Sequence, residues 1–378
     1  MGTNRQRAYS AKYAGFAALV SVAACALVTP LDDLASSNDA SLDVSSDASP
    51  DASPDVTADA PSTDAAADVD GCTQDCQGGA CVAGRCQPVT LVTGQPNPEG
   101  LVVGDTDLFW TYSVNPVGGV RRANKVDGGG VATLASLGAS CPLALASDEV
   151  IAIKNGTTVI GIPDASTTDA SSGTSLFTQP AFLEITTVAT DGTYLFFVGN
   201  NTYDTAGVYA VALGATQASL TAPFSTFATT ALTTGNGSAY FFDGSKIGRT
   251  TGTGGDTNVV TGVTEVSGLA YTLASSGPLI AWTSASSGTV SIAAADKTST
   301  PPAPIASAQG GPSGIALDAS RAYWTNQNDG TIVYCDLANC QPQIAANNQS
   351  LPSAIAVDAT TIYWLNVSTA TILKLAKP

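Results

Sequence analysis

Residues 316–326 read ALDASRAYWTN, and residues 356–366 read AVDATTIYWLN. Each phrase centres on an adjacent aromatic pair, Tyr323-Trp324 and Tyr363-Trp364. Matching anchors stand earlier at Trp110, Ile153, Phe197, Phe242 and Trp282, so seven anchors recur at intervals of 40 to 45 residues. No other feature constrains the fold as much. A fixed period of this length means one supersecondary unit copied along the chain, each copy burying its faces against its neighbours.

The content of the units selects the architecture. After residue 30 no strong helical stretch occurs, and short apolar runs alternate with Gly, Thr, Ser and Asn, which reads as all-β. Each unit offers a small apolar first strand (SGIALD, SAIAVD), a second strand with the anchor, a third after a turn (GTIVYCD, ATILKLAK), and an edge-like fourth (TNVVTG, PQIAAN). Neighbouring residues of a strand point to opposite faces, so a sheet wet on one side would expose one ring of each pair. A propeller blade is covered on both sides by its neighbours and can bury both. The expectation is therefore an all-β, seven-bladed propeller of four-stranded blades over residues 88–378. The last unit has only three strands, while PVTLVTGQ at 88–95 precedes the first anchor without a unit of its own. It is expected to complete the seventh blade and close the ring, which removes an exposed edge. A six-bladed ring with a long insertion, dropping the Ile153 anchor, is the alternative.

The phrase GPSGIALDASRAYWTN resembles the repeats of the NHL and YWTD propeller families, most strongly in the last two units. Where the YWTD repeat ends in Asp, this chain has Asn326 and Asn366. That resemblance implies a binding scaffold in an extracellular or membrane-tethered setting.

The start of the chain agrees with such a setting. Arg5, Arg7 and Lys12 precede an apolar run from Ala14 to Val28, which is shorter than the about 20 residues of a membrane span and reads as an export signal. The run holds VAAC, small residues ahead of Cys25, which resembles the lipobox of bacterial lipoproteins; the resemblance implies a signal at 1–24 and lipidation of Cys25. An ordinary cleaved signal is the alternative. Residues 25–70 read as a disordered tether: residues 31–70 hold 11 of the chain's 31 acidic residues and no basic one, with Asp recurring every fourth position from Asp39 to Asp59. Like charges at that spacing oppose a helix, and so single-signed a segment cannot bury enough surface to fold.

Residues 71–87 carry Cys72, Cys76, Cys81 and Cys86. In an exported chain four close cysteines imply two disulfides in a small knob, with three pairings open. A zinc knuckle would want C-x-x-C pairs. The phrase GGACVAGRCQP resembles short cysteine modules that follow Asp/Ser/Ala-rich tethers in secreted proteins of myxobacteria. Cys335 and Cys340 are placed to close a local disulfide, which leaves Cys141 unpaired if Cys25 carries lipid, as a buried thiol or as a partner in a different pairing.

Charge and composition exclude several functions. Residues 88–378 hold 19 acidic against 10 basic residues, whereas nucleic-acid binding needs a basic face. The chain has no histidine, so a Ser-His-Asp triad is impossible and the commonest general base and metal ligand is missing. Propeller loops before first strands and between second and third strands gather around one channel mouth, the expected ligand site. On that face the sequence places Glu99, Glu184, Glu265, Asn201, Asp204, Asn326 and Asp329, hard oxygen groups that would suit calcium. PNPEGLVVGDTDLFW also resembles the opening of gluconolactonase-like propellers, which implies a metal-ligand role for Glu99 and a metal-assisted hydrolysis. The primary expectation is a monomeric, non-catalytic binding propeller that meets the membrane through its lipid anchor, most consistent with the outer membrane, facing the periplasm or the exterior. The alternatives are a lactonase-type hydrolase on Glu99 and a purely structural part of a surface assembly.

Overall fold

A computed structural model describes residues 71–114, 117–137, 143–146, 149–163, 174–178, 182–201, 206–213 and 231–378. The expected signal peptide and tether, with Cys25, lie outside the described residues, as do Cys141 and Asp204.

Seven antiparallel sheets follow one another in chain order, and each contains one predicted anchor in its second strand. Blade 1 holds strands Pro98–Val103, Asp107–Val114, Val117–Asn124 and Ala132–Ser136. Blade 2 starts at Leu143–Ala146, blade 3 at Phe182–Thr190, blade 4 at Ala231–Gly235 and blade 5 at Gly268–Ala274. Blade 6 holds Pro312–Leu317, Arg321–Asn326, Thr331–Asp336 and Gln343–Ala346. Blade 7 comprises Pro352–Val357, Thr361–Asn366 and Thr371–Ala376, with Val89–Val92 as its fourth strand. That last strand pairs Val89 with Lys374 and Val92 with Ile372, so the segment ahead of blade 1 closes the ring as expected.

The core is a ring of layers between blades. Tyr323 packs forward into the layer between blades 6 and 7, where Trp364 points back from the next blade. Tyr363 does the same between blades 7 and 1, meeting Trp110. Trp110, Trp324 and Trp364 are completely buried, and so is Tyr323. The paired aromatics are thus packing residues, one for each face of the blade. In blades 2 and 4 the predicted anchors are off by one position. Ile153 and Phe242 face the following blade, and Ala152 and Phe241 hold the backward-facing place of the tryptophan. A slip of one residue in a strand exchanges its faces, and an apolar run such as VIAI carries no mark of register.

Blade 5 shows three strands, and the chain after Ala294 follows an unforeseen route. Ser299 pairs in parallel with Val260 on the outer strand of blade 4. Its backbone N–H donates to Val259 O at 2.9 Å, and its carbonyl accepts from Thr261 at 3.0 Å. The segment then returns, and Ala306 bridges Val290 as a minimal fourth strand. Blade 5 thereby covers an edge of blade 4 that would otherwise offer unpaired backbone groups.

The cysteine module pairs Cys72 with Cys81 and Cys76 with Cys86. Cys86 is buried in the layer between blades 6 and 7, so the module is docked on the propeller. Cys335–Cys340 is also formed, with Cys335 buried between blades 5 and 6.

Candidate functional site at the channel mouth and the rear face

The loops entering the first strands and those joining second to third strands define the mouth face. A glutamine organises it in three places. Gln95, Gln309 and Gln349 each stand fifteen residues before a tryptophan and accept its indole N–H, at 3.1 Å from Trp110 and 3.0 Å from Trp324 and from Trp364. The same glutamine oxygens accept a second donor: Arg121 at 2.9 Å, Asn326 at 2.9 Å and Asn366 at 3.0 Å. Their backbone N–H groups donate to the turn of the preceding blade, at Ala370 O, Gly288 O and Gly330 O. Each glutamine therefore joins two blades while satisfying buried donors that would be costly to leave unpaired. This Q-x-x-P pattern was present in the sequence as QPNP, QGGP and QSLP, and its constant distance to the tryptophan was the signal that could have revealed it.

The expected site residues fall around this framework. Asn326 is almost wholly buried and also donates to Thr331 at 3.1 Å. Asp329 accepts the Gly310 N–H at 2.8 Å and so holds the entry loop of its own blade. Glu265 accepts the Ser286 N–H at 3.0 Å and the Ser286 hydroxyl. Glu99 accepts the Ser113 hydroxyl at 2.7 Å; burial pushes its carboxyl above the ordinary value, and that hydrogen bond only partly opposes the shift. Glu184 and Asn201 lie on the first and second strands of blade 3. Among the described residues no three carboxylates come within metal-ligand reach of one another. The one group of that kind is Cys72, Cys76 and Cys86, whose sulfurs are all in disulfides and so offer no thiolate.

The rear face, made by the turns between first and second and between third and fourth strands, holds a second repeated cluster. Asp318 caps its turn by accepting the Ser320 and Arg321 N–H groups and binds the Tyr323 hydroxyl at 2.9 Å and Lys377 of the next blade at 2.6 Å. Asp358 repeats this with Thr360, Thr361, the Tyr363 hydroxyl at 3.1 Å and Lys125 of blade 1 at 3.0 Å. Burial opposes ionisation of both carboxyls, but the donors outweigh it and hold them below the ordinary range. Burial and the neighbouring Asp push both tyrosines upward. The cluster occurs twice and each time spans two blades. It is a clamp.

Beside the second clamp a cavity of about 530 Å³ opens between blades 7 and 1, against Gln77 of the cysteine module. Val103, Leu145 of blade 2 and Val357 line its apolar side, and Asp105, Lys125, Asp358 and Lys374 its polar side. This cavity lies opposite the mouth face on which the sequence reading concentrated.

These features define a seven-bladed β-propeller closed by a strand from ahead of its first blade and carrying a docked disulfide module. Solved structures place it among known propellers. The chain is similar to virginiamycin B lyase from Staphylococcus aureus, with TM-score 0.55 and 16% identity over 77% of this chain and 99% of that one. It is also similar to the Cps50 (Swd1) propeller domain of Myceliophteria thermophila, with TM-score 0.54 and 10% identity over 77% of this chain and 100% of that one. The computationally designed Ika8 protein matches with TM-score 0.52 and 14% identity over 76% of this chain and 98% of that one. At these identities the likeness concerns the fold alone. No family model matches the chain, and no curated protein does.

Proposed function

We propose that this chain is a non-catalytic binding propeller, held at a bacterial envelope through lipidated Cys25 and the acidic tether, and that its mouth-face loops contact a protein, glycan or other envelope ligand. The observation that carries the reading is the use made of the mouth-face polar groups. Glu265, Asp329, Asn326 and the three glutamines each hold a loop or join two blades, so they shape a surface instead of converging on one reacting atom. The NHL- and YWTD-like phrase supports the same use. The lyase neighbour does not argue for chemistry here: a histidine-to-alanine variant of it is described as catalytically inactive, and this chain has no histidine.

The second reading, metal-assisted lactone hydrolysis, draws on Glu99, the mouth-face carboxylate whose protonation is favoured by burial. One experiment separates the two. Calcium is titrated calorimetrically into the purified protein and its Glu99→Gln variant, and both are screened against lactones. The binding reading expects no turnover and no calcium heat that depends on Glu99. Saturable calcium binding lost in the variant, together with lactone turnover by the wild type, would replace it with the hydrolase. Fatty-acid labelling of cells expressing the chain checks the anchor; label unchanged in Cys25→Ser would remove that part.

A further inference from the structure

The two rear clamps share their Asp, Tyr and Lys but differ around them, at Arg321 against Thr361 and at the residue opposite the tyrosine. In blade 6, Tyr334 pairs across from Tyr323, stacks on it with ring centroids 6.4 Å apart, and carries Arg321 over its face. In blade 7 the same register position, opposite Tyr363, is Lys374. A slim side chain replaces a ring, and the cavity opens where the repeat departs from its own pattern.

We propose that this cavity binds a small amphipathic monocarboxylate, with the carboxylate on Lys374 Nζ and the apolar part along Val103, Leu145 and Val357. Lys374 is 3% exposed. Its ammonium has three donors, and one is used, to Val126 O at 2.6 Å. Among the described residues no carboxylate stands in ion-pair contact with it, whereas Lys125 beside it is neutralised by Asp358 at 3.0 Å. A buried ammonium held by a single carbonyl is stabilised when a ligand brings an opposite charge. Asp75 of the module, Asp127 of blade 1 and Asp358 of blade 7 act on it only at longer range. These carboxylates, with Asp105 on the cavity wall, repel any anion and a dianion more than a monoanion, so the ligand carries a single charge. The apolar wall then sets the rest of the ligand, and the volume falls in the range of small-molecule sites, roughly 300–1,000 Å³. Burial pushes the Lys374 ammonium below the ordinary lysine value, the three aspartates opposing. The inference does not rest on the mouth-face reading.

The test uses the whole protein and three probes of one chain length: octanoate, octanol and octylammonium. The expected result is saturable octanoate binding, octanol at least tenfold weaker, and octylammonium weaker still. Lys374→Tyr, which installs the residue of blade 6, should abolish octanoate binding while the circular dichroism spectrum is kept. Lys374→Met should bring octanoate down to the level of octanol. No octanoate binding, equal binding of octanoate and octanol by the wild type, or octanoate binding that survives in Lys374→Tyr would each overturn the proposal. If Lys374→Tyr fails to fold, a preference for octanoate retained by Lys374→Met overturns it instead.

Discussion

Replacing Gln349 by Leu tests the glutamine framework with little change of volume. The side-chain oxygen accepts Trp364 Nε1 and Asn366 Nδ2, both at 3.0 Å. The backbone bond to Gly330 O at 2.8 Å is untouched by the substitution. Trp364 is fully buried and Asn366 nearly so, so Leu leaves two buried donors unpaired. Each costs about 1–3 kcal/mol. Gln349 itself is half-buried, and water entering at the mouth face offsets part of this, which places the expected loss at about 2–4 kcal/mol. For a domain of this size that is a fall in Tm of roughly 3–7 °C. Chemical unfolding followed by circular dichroism measures it. Trp364→Phe removes one donor, so in the double variant the second loss should be smaller, with a coupling of about 1 kcal/mol between the sites. A loss below about 0.5 kcal/mol for Gln349→Leu, or strict additivity with Trp364→Phe, would refute the view that this side chain ties the entry loop to the second strand of blade 7.

Four further outcomes follow from the same geometry. Gly330 has φ +62°, and a Cβ there would meet Gln349 O at 2.4 Å, so Gly330→Ala should lower stability by more than 1 kcal/mol (from the left-handed cost of about 1–2 kcal/mol) in a denaturant titration. Thr325 Oγ1 accepts from Gly314 N at 2.9 Å and donates to Ser353 O at 2.7 Å on the next blade; Thr325→Val should cost about 1–3 kcal/mol in the same measurement. Asp318 and Asp358 are held below their unfolded values, so their contribution is full above about pH 4 and is lost as pH falls through the folded values. Asp318→Asn should lower stability at neutral pH and flatten the acid limb of a Tm-versus-pH curve. Glu99 has the opposite sign: its folded value is raised, so stability falls as pH rises through the interval between the unfolded and folded values, and Glu99→Gln should raise Tm at pH 7 and remove that slope.

The ring was legible because a period near forty residues survives drift at single positions: seven anchors mark seven blades even in blade 2, where Ala152 holds the place of the tryptophan and Ile153 is one residue off. The closing strand was legible because PVTLVTGQ lacked a unit and the last unit lacked a strand. Register was not legible where a strand is apolar on both faces, as at Val150–Ile153 and Tyr240–Phe242, since either alignment buries the same residue types. Of the mouth-face candidates, position was readable from loop order, but Asp329 and Asn326 turn out to hold neighbouring loops, a role set by partners that are distant in sequence. The rear clamp was missed for the same reason. Asp358 and Tyr363 stand five apart, but Lys125 comes from blade 1 and is adjacent only after the ring closes.

Repetition separates structure from specialisation more reliably than polarity does. Judged alone, a carboxylate below its ordinary range, bonded to a tyrosine and a lysine beside a cavity, would be taken for an active site. Blade 6 carries the same Asp-Tyr-Lys arrangement around Asp318, filled by Tyr334, so the arrangement itself is accounted for by joining blades. What the clamp does not account for is the lysine that stands opposite Tyr363 in its second copy. Tyr334 stacks on Tyr323 in the first copy, whereas a buried ammonium in the second costs solvation and leaves space beside it. A change that raises electrostatic cost within the repeat calls for a compensating partner, and among the described residues the chain supplies Lys374 with one carbonyl and the longer-range field of Asp75, Asp127 and Asp358.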